Sequence, residues 1–130
     1  MTSSAFLNEY VAKNLIKPEK VGADQIEKVI KSAEKNLMVS EKLLSIDEGH
    51  AYETAYEAML HAARAFVFVK GYRPTTNFQH RTVVGFTAFF LGDEYKALIE
   101  KFDYMRKNRN SFIYEPWKVN KEHPQQHFKF

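Results

Sequence analysis

Ala51-Tyr52-Glu53-Thr54-Ala55-Tyr56-Glu57-Ala58-Met59-Leu60-His61-Ala62-Ala63-Arg64-Ala65-Phe66-Val67-Phe68-Val69-Lys70 is the stretch that decides the fold. Tyr52, Ala55, Tyr56, Met59, Ala63, Phe66 and Val67 recur at the three- and four-residue spacing of one helix face. From Ala62 to Val69 the segment is apolar nearly all round, which predicts a central helix covered by neighbours on several sides. Gly71 supplies its stop.

The same periodicity extends outward in both directions. Upstream, Ser4 to Leu15 reads as a helix with Phe6, Leu7, Tyr10, Val11 and Leu15 on one side, ended by Lys17-Pro18. Asp24 with Glu27 reads as a capping box opening a second helix. Ile26, Ile30, Ala33, Leu37 and Leu44 form its apolar stripe, and Gly49 is its expected stop. Its charges, Lys28, Lys31, Lys35 and Lys42 with Glu27, Glu34 and Glu41, read as a solvated, ion-paired face, as does Lys13 to Lys17. Downstream, residues 72–77 read as a loop. A shorter helix over Phe78 to Leu91 points Phe78, Thr82, Val83, Phe86, Phe89 and Phe90 inward. The Phe86, Phe89 and Phe90 set is expected in the core. Gly92 stops this helix and Asp93 caps the last, which carries Leu98, Phe102, Met105, Arg109 and Phe112 on one stripe and ends at Pro116. No segment alternates with period two, and no hairpin signal occurs. The expected fold class is all-α: an up-and-down bundle of four main helices plus an N-terminal helix over residues 1–116, with 117–130 as an irregular tail.

A chain of 130 residues suits one domain and buries roughly two-thirds of its unfolded surface. The absence of cysteine excludes disulfides, thiolate metal sites and a Cys nucleophile. The N-terminus lacks a basic segment followed by an apolar run, and the longest apolar run is Ala65 to Val69. The expectation is a cytoplasmic protein with no membrane partner. Net charge is +3, mildly basic and compatible with an acidic partner. Gly-rich phosphate loops, paired catalytic carboxylates and a Ser elbow are missing, which removes conventional hydrolases and kinases from view. His123 and His127 have a zinc-like spacing but no companion ligands, so no metal site and no cofactor is expected.

One residue breaks the pattern. Arg109 falls on the apolar stripe of its own helix, where a charge is costly unless it is paired or binds an anion. A carboxylate such as Glu53 or Glu57 on a neighbouring helix satisfies the first condition. A phosphodiester satisfies the second, with Arg106 one turn earlier supplying another guanidinium fork. His61 and Arg64 lie one turn apart on the central helix and are candidates for the same cleft. His61 also fits a surface or hydrogen-bonded core position, and His80, at the start of the fourth helix, fits loop anchoring as well as ligand contact.

Arg109-Asn110-Ser111-Phe112-Ile113-Tyr114 resembles the Arg-(Asn/Asp/His)-x-x-x-His signature on the final helix of HEPN domains, with Tyr114 where the family has His. The central helix looks like the family's A-Y-x-A-M-x-H-A-A-R-A helix, and is followed by Gly71, a Pro-containing loop and His80 ahead of Phe86. The resemblance covers about residues 23–115. It implies a homodimer with the last helices facing one another, and a metal-independent ribonuclease in active members, many of them toxins paired with a nucleotidyltransferase antitoxin. In inactive members it implies RNA or nucleotide binding, or partnership with a nucleotidyltransferase. On this resemblance Arg109, Tyr114 and Asn110 occupy the catalytic positions, with Arg106, His61, Arg64 and His80 contributing to an RNA or nucleotide groove. Histidine suits acid–base work near neutral pH, whereas tyrosine, with a pKa of about 10, is a poor base. Binding is therefore expected over efficient cleavage. A protein-interaction module, its arginines only bridging the dimer, is the third reading.

Overall fold

The computed structural model describes residues 1–76 and 79–114, the last six of these by their backbone alone. It is mostly helical: α1 (Ser3–Ala12), α2 (Ala23–Leu43), α3 (Glu48–Val69), α4 (Gln79–Leu91) and α5 (Lys96–Tyr114). A 3-10 turn over Asp93–Tyr95 leads into α5. The coarse expectation of an all-helical bundle holds, with one addition. β1 (Ile16–Pro18) and β2 (Tyr72–Pro74) pair antiparallel, Ile16 opposite Pro74 and Pro18 opposite Tyr72.

That pair corrects two expectations. The first helix stops at Ala12 because Asn14 takes a left-handed φ of 57° and turns the chain into β1. The segment after Gly71 is a strand, and Thr75 continues the pairing, its N–H donating to Leu15 O at 2.9 Å and its hydroxyl to Asn14 O at 2.7 Å. Three residues per strand are too few to leave a period-two signature in sequence.

Three helix ends also differ. Gly22, not Asp24, is the N-cap of α2, and Asp24 lies in its first turn, so the capping box does not form. Gly49 does not stop α2. It is buried in the first turn of α3, whose N-cap Asp47 accepts from His50 N at 3.0 Å. Asp93 opens the 3-10 turn, with Gly92 as its N-cap at φ 74°. Gly71, at φ 88°, ends α3 as expected.

α3 is the axis of the core. Tyr52, Tyr56, Leu60, Ala63 and Val67 of α3 are buried with Val83 and Phe86 of α4, and with Phe102 and Met105 of α5. Phe6 of α1 closes this core, stacking on Phe89 at 4.1 Å between ring centroids and meeting Phe86 edge-on at 5.9 Å. The aromatic set on α4 is thus core, as expected. α5 runs antiparallel to α3, since Ile99 lies by Phe66 and Phe102 by Tyr56. α4 runs with α3 rather than against it, because His80 meets Tyr56 and Phe90 meets Phe66. Strict up-and-down order therefore fails at this step: β2 carries the chain back along the bundle before α4 begins. One face of α3 also departs from expectation: Ala62 is exposed and Val69 is 65% exposed.

Candidate functional site

α5 anchors on α3 through Phe102 and Met105, which are 3% and 0% exposed. These two fix the helix rotation and hence where its charged residues emerge. Beside them Arg106 Nε donates to Asp103 Oδ1 at 2.9 Å, one turn back, and Lys107 Nζ lies 3.1 Å from Asp103 Oδ2. Burial raises the Asp103 pKa, but the hydrogen bonds and charges of Arg106 and Lys107 outweigh it and hold the carboxyl below its usual range. Arg106 is therefore not wholly given to a ligand. One of its five N–H donors is committed within α5, and the guanidinium stays half-buried beside the bundle surface.

His80 and Arg64 each bond across the junction of α3 and α4. Tyr56 Oη and His80 Nδ1 share a hydrogen bond of 2.8 Å, with the rings stacked at 5.7 Å. Tyr56 is fully buried and its ring also touches Phe102 at 5.8 Å, so α3, α4 and α5 are joined through this one side chain. Arg64 donates to Gln79 Oε1, and Gln79 Nε2 reaches back to Thr75 O at 3.5 Å. The chain from α3 to the turn before α4 is thus continuous in hydrogen bonds. This geometry favours anchoring for His80, one of the two roles its position allowed. His61 is half-buried one turn before Arg64. Of the partners that organise this corner, the sequence spacing places Tyr56 on the apolar face of α3 and gives no signal for Gln79. No local signal pairs residues 24 and 15 positions apart.

Beyond Met105, α5 passes the N-terminal half of α3. Burial pushes the Tyr52 phenol far above its usual pKa, and Tyr104 adds to the shift. α5 stays helical to Tyr114. The side chains of Arg109, Asn110 and Tyr114, and the tail with His123 and His127, lie outside the described residues. Comparison with family models, with curated proteins and with solved structures finds no match.

Among the described residues, no three His, Cys, Asp or Glu side chains gather in a way that would hold a metal ion. None of their helices is long and apolar enough to cross a membrane. What these residues offer chemically is cationic and hydrogen-bonding: Arg64 bonded to Gln79 and His80 to Tyr56 between α3 and α4, and Arg106 and Lys107 around the Asp103 carboxylate on α5.

Proposed function

We propose that this chain is a HEPN-like RNA- or nucleotide-binding domain whose groove is built on the C-terminal half of α5 and completed by a second copy. One observation carries the reading: α5 is an unbroken helix through Tyr114. Positions 109 and 114 are five residues apart, about 140° around a regular helix, so the two cannot converge on one phosphate from a single protomer. A two-fold pairing of last helices brings two copies of each into one cleft. Arg109 then binds phosphate, Arg106 supports it with the donors that Asp103 leaves, and Asn110 orients the site. His80 and Arg64 act as braces of the corner behind it.

Cleavage of RNA without a metal needs a base for the ribose 2′-OH and an acid for the leaving 5′-oxygen. Tyr114 is mostly protonated at neutral pH and suits hydrogen bonding to phosphate or stacking on a base. Binding without efficient turnover follows, in a degenerate relative of the toxin-type ribonucleases or a component working beside a nucleotidyltransferase-type partner.

The test is RNA cleavage in EDTA by wild type, Arg109→Ala and Tyr114→His, alongside RNA binding across salt concentrations. Salt-sensitive binding that Arg109→Ala weakens, with cleavage appearing only in Tyr114→His, is the expected result. Cleavage by wild type that Arg109→Ala abolishes would make the protein an endoribonuclease. If wild type neither binds nor cleaves, and Arg109→Ala instead weakens dimerisation, the reading gives way to an interaction module.

A further inference from the structure

α2 and α3 touch through small residues. Ala33 and Ser40 on α2 are 9% and 0% exposed, and Ala33 lines one hollow with the buried Ala55, Ala58 and Ala65 of α3. Small side chains let helix axes approach to about 8 Å, which leaves no room between them for larger groups. Ile30 and Leu37 therefore ride outside the contact, 42% and 47% exposed, on the lip of a groove.

The groove holds about 670 Å³ on the α2 side. Its floor of Met59, Ala62 and Phe66 continues into a second hollow of about 430 Å³ reaching Leu98 and Phe102 of α5. From Ala55 to Val69 the floor is about 21 Å long, four turns of helix. This is the face of α3 whose sequence predicts cover and which the described residues leave open. A monomer seldom leaves so continuous an apolar hollow without a use.

The charge around it selects the occupant. Among the described residues, Glu34 is the one charged side chain lining either hollow. Glu27, Glu34 and Glu41 are seven apart and all exposed, so they share that edge of α2; Lys31 pairs with Glu27 at 3.1 Å, and Glu34 and Glu41 carry the net negative charge of the edge. Lys28, Lys35 and Lys42 lie about 100° further round, away from the groove. A second copy docked with its α2 edge over this one would set like charges at close range. RNA is repelled by the same edge. We propose that this groove docks an amphipathic helix of a partner protein, apolar on one stripe and lined with Lys or Arg along one flank. The helix-in-groove mode needs such a floor and such anchors at i, i+3 or i+4, and i+7.

The site is separate from the RNA reading and its test uses no RNA. The probe is a synthetic helical peptide of about four turns with Leu along one stripe and Lys along one flank. Its counterpart carries Glu in place of Lys, and both are titrated against the full chain by fluorescence anisotropy. The Lys-flanked peptide should bind at least about tenfold tighter than the Glu-flanked one, from the rim charges acting together. Ala62→Arg, at an exposed floor position, should remove that binding. The triple variant Glu27→Lys, Glu34→Lys, Glu41→Lys, all on exposed positions, should invert the preference. Far-UV circular dichroism checks that both variants keep their helices. Equal affinity for the two peptides, a triple variant with unchanged preference, or a full chain that takes up neither peptide overturns the proposal. So does sedimentation showing a dimer that Ala62→Arg dissociates, which would assign the groove to a second copy.

Discussion

Tyr56 Oη lies 2.8 Å from His80 Nδ1, a hydrogen bond between a fully buried residue of the central helix and the first turn of α4. It fixes where α4 begins after the extended return through β2. Tyr56→Phe keeps the ring contacts with His80 and Phe102 but removes the hydroxyl. A loss of about 1 kcal/mol is expected in urea unfolding. RNA affinity should stay within about twofold, less than 0.5 kcal/mol, if His80 braces the corner rather than touching ligand. A large drop in affinity at unchanged stability would give His80 the ligand role.

Asp103→Asn tests the carboxylate shared by Arg106 and Lys107. Its folded-state pKa is lowered, so its stabilisation is present above the unfolded value near ~3.9 and is lost as pH falls through the folded one. The variant should therefore be less stable than wild type at pH ~7, with the difference closing below pH ~4. The effect is small because the carboxylate is 33% exposed. Freed from Asp103, Arg106 should strengthen RNA binding at low salt and steepen its salt dependence by up to about 0.7 in slope. Parallel melts from acid to neutral pH and a salt titration of RNA binding check both halves.

Thr82 is 2% exposed, and its hydroxyl has no hydrogen-bond partner among the described residues. Thr82→Val replaces that hydroxyl with a methyl group of nearly the same size. Removing a buried unsatisfied oxygen should stabilise the fold by about 1 kcal/mol, a rise of roughly 3–5 °C in Tm by calorimetry. A fall in Tm would mean the hydroxyl is held by a partner.

Gly85 sits inside α4, where glycine costs about 1 kcal/mol relative to alanine. A Cβ there would collide with Tyr10 Oη, while the ring carbon behind it, Cζ, stays 3.6 Å away. Gly85→Ala should thus destabilise wild type, yet stabilise a Tyr10→Phe background by up to about 1 kcal/mol. A double-mutant cycle in urea reads the coupling. Additive effects would show that Tyr10 moves aside at no cost.

The two candidate surfaces were legible to different depths. The unusual position of Arg109 and the Glu27, Glu34, Glu41 repeat can be read directly from spacing, because helical residues seven apart share an edge. The Lys–Glu face was expected to be ion-paired, and Lys31 does meet Glu27 at 3.1 Å. That the glutamate edge borders a groove was not readable. It depends on how closely α2 approaches α3, and so on small residues from two different helices lying opposite one another.

By itself the sequence determined that the chain folds as helices, which face of each is apolar, and that Gly71 ends the central one. These follow from a 3.6-residue period and from the backbone freedom of glycine, both local. Tertiary structure alone decided that Ile16 pairs with Pro74, that α4 runs with α3, and that Ala62 is left at the floor of an open groove. Each of these depends on residues far apart in the chain, and a local pattern records which face seeks cover but not which neighbour arrives to give it.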